Sequence, residues 1–170
     1  MLTNTQKQIL HDDMISRPEL ATYIATGDDI ALSNYYNQLP ITDWIVWRTA
    51  VSQQEYQSKV SSIGTSFNWS GTGGYIARSQ GERDAWRVMF VSGSVNPSEA
   101  NVITAFNDIF SGTGAAAINN RNHLLSLSKR KATLIEQILS SGSGTDISPA
   151  YTSFEGKIGY TDISEARVWQ

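Results

Sequence analysis

The sequence predicts a mainly α-helical chain: a small bundle around one long helix over about residues 115–140, with an irregular aromatic segment and an extended C-terminal arm. Three observations predict it. Apolar residues recur at three- and four-residue steps through most of the chain, the period of a helix with one buried face. Capping residues, prolines and glycines punctuate those runs where helices start and stop. Finally, Ile118, Leu125, Ala132 and Leu139 repeat every seven residues between Gly112-Thr113-Gly114 and Ser140-Ser141-Gly142, with Leu124, Leu127, Leu134, Ile135 and Ile138 widening the stripe.

Taken in order, residues 1–40 read as short helices in close succession. The first follows Thr3 and carries Ile9, Leu10 and Met14. The second begins at Pro18, a first-turn proline, and a third follows Gly27 with Asp28 as its cap, until Pro40 stops it. Ile41 to Thr49 is aromatic and β-branched and reads as extended or irregular. Ser52 with Glu55 three positions on is a capping pair for a helix reaching Val60 and Ile63. Three glycines between Gly71 and Gly74 predict a mobile surface loop. Core helices follow, one over Arg78–Val91 around Trp86, the next started by Asn96-Pro97, then the long one. The domain therefore spans 1–141, divided into 1–40, the irregular Gly-rich 41–75 and the core helices 78–141. Residues 142–170 form a flexible linker and a C-terminal docking arm, expected to be dispensable for folding.

Composition limits the function classes. At 170 residues, 40% hydrophobic and 17% charged, the chain folds as one domain and is neither a disordered tail nor a coiled-coil rod. Cysteine is absent, so disulfides, thiolate metal sites and cysteine nucleophiles are excluded. No basic start leads into an apolar run and no stretch is long enough for a membrane span, so the chain is expected to be soluble, made in a cytoplasm and without a membrane partner. With 13 basic and 16 acidic residues the formal charge is −3, too balanced for wholesale attraction to nucleic acid. Locally the balance shifts, because residues 111–141 hold four basic residues and one acidic, while residues 1–60 hold four and seven. Arg121, Lys129, Arg130 and Lys131 thus form a candidate basic patch, facing DNA or an acidic neighbouring subunit.

No catalytic, metal-binding or cofactor-binding residues are expected. His11-Asp12-Asp13 is the one tight cluster of metal-capable side chains, but adjacent helical positions point about a third of a turn apart. His123 reads as an exposed or interface histidine. Gly71–Gly74 lacks the Lys-Ser or Lys-Thr that follows a phosphate-binding loop. Of the five tryptophans most read as core, whereas Trp69 and Trp169 lie in flexible segments and are expected at contacts with another chain, together with Tyr151, Phe154 and Tyr160 of the arm.

One pattern runs through residues 40–168 in order. Its parts are Val46-Trp47-Arg48-Thr49, Asn96-Pro97 with Ala100-Asn101-Val102, Gly112-Thr113 with Arg121, Arg130 and Glu136, Gly142 and Gly144-Thr145, Ser148-Pro149-Ala150, Phe154-Glu155-Gly156, Tyr160-Thr161-Asp162 and Ala166-Arg167. It resembles a family of small proteins encoded among the virion-structure genes of tailed bacteriophages. The chain departs from that family at Gln80–Trp86, where members carry a Gly-Lys-Ala-Arg run, and at Gly71–Gly74, which reads as an insertion. The resemblance implies a virion role. Joined to a helical body, opposite local charges and an aromatic arm, it leads to the expectation of a non-enzymatic head-to-tail connector (adaptor or neck) subunit. Such a subunit would form a homo-oligomeric ring under the portal, twelve-fold symmetry being one option. Its partners would be the portal protein and other neck or tail proteins, with non-specific contact to channel DNA. A tail-completion or tail-tip protein fits the same resemblance, and a small phage enzyme or DNA-packaging accessory protein is the alternative of another class.

Overall fold

The computed structural model describes residues 1–169, and about half of the chain is helical. In chain order its elements are α1 (Asn4–Ser16), α2 (Ala21–Thr26), α3 (Asp29–Tyr36), β1 (Ile45–Trp47), β2 (Val51–Ser52), α4 (Gln53–Ser58), α5 (Gln80–Met89), β3 (Ser94–Val95), α6 (Ala100–Ile109), α7 (Ala115–Leu127), β4 (Lys129–Lys131), α8 (Leu134–Ile138), β5 (Ser140–Ser141), β6 (Tyr151–Thr152) and α9 (Tyr160–Arg167). Mainly α is therefore the fold class. The chain does not divide at residue 141; it divides into one unit made of residues 1–46 and 131–170 and another made of residues 47–130.

In the first unit, Thr3 caps α1 through a reciprocal pair: its hydroxyl accepts from Gln6 N at 3.3 Å while Gln6 Oε1 accepts from Thr3 N at 2.9 Å. Gly27 ends α2 in the left-handed region (φ 68°), and Asp28 caps α3 by accepting from Ala31 N. Leu10, Met14, Leu20, Leu32, Tyr36, Ile135, Leu139, Ile158, Ile163 and Ala166 form one core. The last three belong to the segment expected to be a loose arm. Their burial corrects that expectation: α9 packs on α1 and α3, Asp162 Oδ1 accepts from Leu2 N at 2.8 Å, and Arg167 pairs with Asp29 at 2.8 Å. The linker before it is equally fixed. Gly144 (φ 63°) lies so close to the Trp44 ring that a Cβ would stand 2.2 Å from Trp44 Cδ2, and Ile45 N donates to its carbonyl at 2.8 Å. From there the chain runs on to Ala150, which donates to Ile45 O at 2.8 Å, and to the antiparallel pair β5–β6.

The second unit is built on aromatic rings. Tyr56, Phe67, Tyr75, Trp86, Phe90, Phe106 and Phe110 are buried together with Val51, Val95, Ile109 and Leu124, and β2 pairs antiparallel with β3. Ser52 caps α4 by accepting from Glu55 N at 3.1 Å, but the helix ends at Ser58, leaving Val60 and Ile63 exposed. A capping box of Ser79 and Glu82 starts α5. Asn96 does not cap α6 directly. Its side chain accepts from Ser98 N at 3.1 Å, making a turn that precedes the helix by one step.

The single long helix is not formed. After α7 the chain extends through β4 and restarts as α8. Two local groups explain the break. Ser128 Oγ returns to Leu124 O at 2.7 Å and meets Tyr56 OH at 2.8 Å, which ties off the last turn of α7. Glu136 accepts from Thr133 N at 2.9 Å, favouring a new helix start at that point. The seven-residue repeat was therefore not one face: Ile118 and Leu125 are 41% and 37% exposed, while Ala132 and Leu139 are buried in the other unit.

Candidate interaction surfaces

Several residues of the pattern running through residues 40–168 are joints of the fold. Arg48 forms a two-pronged pair with Glu55 (2.7 and 3.0 Å) and donates to Leu127 O at 3.1 Å. Arg121 donates to the carbonyls of Phe110 and Gly112, the latter at 3.0 Å, satisfying backbone acceptors at the end of α6. The buried Glu136 carboxylate takes Thr133 N and, at 2.8 Å, Gly156 N, which joins two parts of the pattern. Gly144 sits on Trp44, Asp162 on Leu2 and Arg167 on Asp29.

The Arg48–Glu55 pair has a pH consequence. Hydrogen bonds from the Arg48 guanidinium, aided by Lys59, hold the Glu55 carboxyl at about 2 against its ordinary 4.5. The folded-state value lies below the unfolded one, so the stabilisation is complete above about pH 4.5 and is lost as the pH falls toward 2. Discounted for partial solvent screening it amounts to about 2 kcal/mol. In acid-titrated urea melts, Glu55→Gln is expected to be less stable than wild type by about that amount at pH 7, with the gap closing toward pH 2. A gap independent of pH would show that the pair is not what the substitution removes.

The basic patch does not exist as one helical face. Arg121 is on α7 and engaged with backbone, whereas Lys129, Arg130 and Lys131 lie on β4, where successive side chains point to opposite sides. Lys131 pairs with Asp43 at 2.7 Å. The five interface candidates are divided between the two units and differ in exposure. Trp69 belongs to the second unit, in edge contact with Phe67 and Tyr75 (ring centroids 5.1 and 5.5 Å), and is partly exposed. Tyr151 on β6 and Tyr160 at the start of α9 are exposed, but Phe154 packs half-buried on the first core and Trp169 is half-buried beyond α9.

Two further expectations are corrected by polar side chains of α7. His123 is fully buried, its ring nitrogens 2.7 Å from Tyr56 O and 3.0 Å from Thr65 O. Asn120, also buried, accepts from Asn68 N at 2.6 Å and donates to Asn68 O at 3.0 Å, as a neighbouring strand would, and Asn119 donates to Ser66 O. The irregular stretch 65–68 is thus tied to α7 by side chains. The glycine loop is fixed in the same way, since a Cβ at Gly73 would stand 2.7 Å from Ala117 Cβ and one at Gly74 2.2 Å from Ser70 O. It is a packed turn and not a mobile loop.

Sequence reasoning missed a cleft in the first unit, about 430 Å³ in volume, lined by Arg17, Tyr35, Gln38, Leu39, Ile41 and Leu134 among others. At its edge Asp13 accepts from Arg17 Nε (2.6 Å), Arg17 Nη2 (3.0 Å) and Tyr36 OH (2.7 Å). Burial, and the hydrogen bond to Asp13, raise the Tyr36 phenol above its ordinary range, while the guanidinium beside Asp13 is held charged. A carboxylate taking three such donors is fixed in place. The signal was Asp13 and Arg17 at helical i,i+4 spacing. A second concavity, about 220 Å³, lies in the second unit between α5 and α6 and is lined by Met89, Val95, Asn101, Val102 and Ala105.

His11, Asp12 and Asp13 diverge: His11 bonds Ala166 O, Asp12 bonds Gln8 and Asp13 bonds Arg17. Among the described residues, no three His, Asp or Glu side chains are grouped to hold a metal ion, and no helix is long and apolar enough to cross a membrane. No protein-family model, no curated protein and no solved structure matches the chain.

Proposed function

We propose that the chain is a non-enzymatic structural subunit of a tailed-bacteriophage virion, a head-to-tail connector whose copies close into a ring beneath the portal. The resemblance supplies the virion context. The observation that carries the assembly part is the division of charge between the two units. Residues 1–46 with 131–170 hold five basic and eleven acidic residues, whereas residues 47–130 hold eight and five, so the units carry −6 and +3. Opposite charges on two different surfaces favour a head-to-tail contact, acidic unit to basic unit, over a contact of like with like. A contact of that kind repeats from copy to copy and ends when it closes. Large aliphatic side chains stand exposed on both units, Ile41 and Ile147 on one and Val88 and Val91 on the other, as a contact of this kind would use.

The purified protein is expected to form rings visible by negative-stain electron microscopy and to show a single oligomeric mass that falls as salt is raised from 50 mM to about 1 M. The same polypeptide is expected in purified virions by mass spectrometry. A monomer at every concentration and salt, together with its absence from particles, would overturn the reading.

A further inference from the structure

We infer that His123 is a proton-operated clasp on the segment 59–68: with both ring nitrogens protonated it holds the Thr65 carbonyl, and with Nδ1 bare it takes the Thr65 hydroxyl instead. The ring is fully buried, and each of its nitrogens faces a backbone carbonyl, Nε2 at 2.7 Å from Tyr56 O and Nδ1 at 3.0 Å from Thr65 O. A carbonyl only accepts, whereas a neutral imidazole has one N–H and one bare nitrogen. Both contacts are therefore hydrogen bonds only in the imidazolium. In the neutral ring one of them sets a lone pair against a lone pair, and the partners decide which. Tyr56 O makes the shorter contact, while Thr65 O already accepts from Ser61 N at 2.8 Å, so the remaining proton stays on Nε2 and the Thr65 carbonyl is the one released.

Thr65 has a group for each state. Its hydroxyl lies 3.4 Å from Nδ1 and 2.6 Å from Ser61 Oγ, which itself accepts from Thr65 N at 3.1 Å. A hydroxyl both donates and accepts. The neutral ring thus takes the Thr65 O–H on Nδ1 while Ser61 Oγ–H turns to Thr65 Oγ1. When Nδ1 gains a proton the hydroxyl pair reverses and the ring donates to Thr65 O. Ser62 on Ser126 (2.8 Å) and Asn68 on Asn120 (2.6 and 3.0 Å) anchor the segment to α7 whatever the charge of the ring, so the proton acts on the turn at Thr65 between them. The surrounding charges are engaged elsewhere. On α4, Glu55 is paired with Arg48 and Lys59, and the Tyr56 phenol meets Ser128 Oγ. Lys59 is the one charged residue of 59–68, Arg121 of α7 is bonded to the Phe110 and Gly112 carbonyls, and Asp108 of α6 is exposed. The Phe67 ring stands edge-on to the imidazole at 6.4 Å, and among the described residues no carboxylate bonds it.

Long-range proton–nitrogen NMR spectra of the full-length chain at about pH 8 and about pH 5, the range in which histidine exchanges its proton, read both ring nitrogens directly. The chain has two histidines, and His11→Gln assigns the signals of the other. The Arg48–Glu55 pair stays intact throughout, because the Glu55 carboxyl is held at about 2. A proton on Nε2 alone is expected at the higher pH and protons on both nitrogens at the lower. Protection of the Ser61 and Thr65 amides, corrected for intrinsic exchange, is expected to rise about fivefold between them, the factor that one net hydrogen bond is worth. Thr65→Val, which keeps the carbonyl and removes the hydroxyl, is expected to lose protection at the higher pH only. A proton on Nδ1 alone at the higher pH, one protonation state at both, or equal protection at both would overturn the clasp, and these readings need no variant of its own residues. A Thr65→Val chain that responds as wild type does would overturn the exchange of partners on which the clasp depends.

Discussion

Replacing Trp86 with alanine is expected to cost about 3–5 kcal/mol and to unfold residues 47–130 under conditions where the wild-type chain is folded. Trp86 is fully buried at the centre of that unit's core, with ring centroids 4.8 Å from Phe90, 5.6 Å from Phe67, 5.7 Å from Phe110, 6.1 Å from Phe106 and 6.4 Å from both Tyr56 and Tyr75. Six rings lose their common neighbour at once, and a cavity of indole size cannot close when its walls are themselves rigid rings. The size of the effect comes from packing and not from a hydrogen bond, since among the described residues the indole N–H has no partner. Trp86→Phe is therefore expected to cost far less, about 1–2 kcal/mol, because it keeps most of the apolar contact and leaves no polar group unpaired. Urea melts followed by far-ultraviolet circular dichroism measure both variants, and amide hydrogen exchange reports where protection is lost. Loss concentrated in residues 47–130 is the expected pattern. A Trp86→Ala variant within about 1 kcal/mol of wild type would mean that the ring cluster is not the core of this unit.

What the sequence disclosed and what it hid follow the range of the interactions involved. Thr3, Asp28, Ser52 and Gly27 act on residues within one turn and each sits at the helix boundary its type implies, while Pro18 opens the tight helical turn Pro18–Leu20 that leads into α2. The extended Ile45–Trp47 was legible for the same reason. The end of α7 was also decided locally, by Ser128 and by the Thr133–Glu136 start, but a seven-residue apolar repeat running across the break outweighed those signals. Asn120 and His123 are a different case. Hydrophobic periodicity treats both as outward-facing, yet their partners, Asn68, Tyr56 and Thr65, are more than fifty residues away in sequence. The same distance hid the surfaces. Neither the groove between α5 and α6 nor the cleft beside Arg17 has any signature before the helices are packed, and interface candidates chosen for being aromatic and near glycines turned out to include the half-buried Phe154.

Deleting residues 146–170 is expected to unfold the unit that contains the N-terminus, although this segment reads in sequence as a dispensable arm. Ile158, Ile163 and Ala166 are buried in the core formed with Leu10, Met14, Leu32 and Tyr36, and each large aliphatic residue removed costs about 2–5 kcal/mol. The deletion also strips Leu2 N of Asp162, Asp29 of Arg167, His11 of the Ala166 carbonyl and Lys7 of Glu165. Glu136 loses the Gly156 amide and keeps a buried carboxylate with less to hold it. Together these losses reach or exceed the whole stability of an ordinary domain, about 5–15 kcal/mol. The single substitution Ile163→Ala samples the same contact more gently and is expected to cost about 2–4 kcal/mol in a urea melt. If the truncated chain kept a cooperative melt within a few degrees of wild type, the helix at Tyr160–Arg167 would be an appendage after all. The outcome also governs how assembly experiments are read: a chain that fails to assemble after losing α9 has lost the fold of its acidic unit, so the failure does not by itself locate a contact between copies.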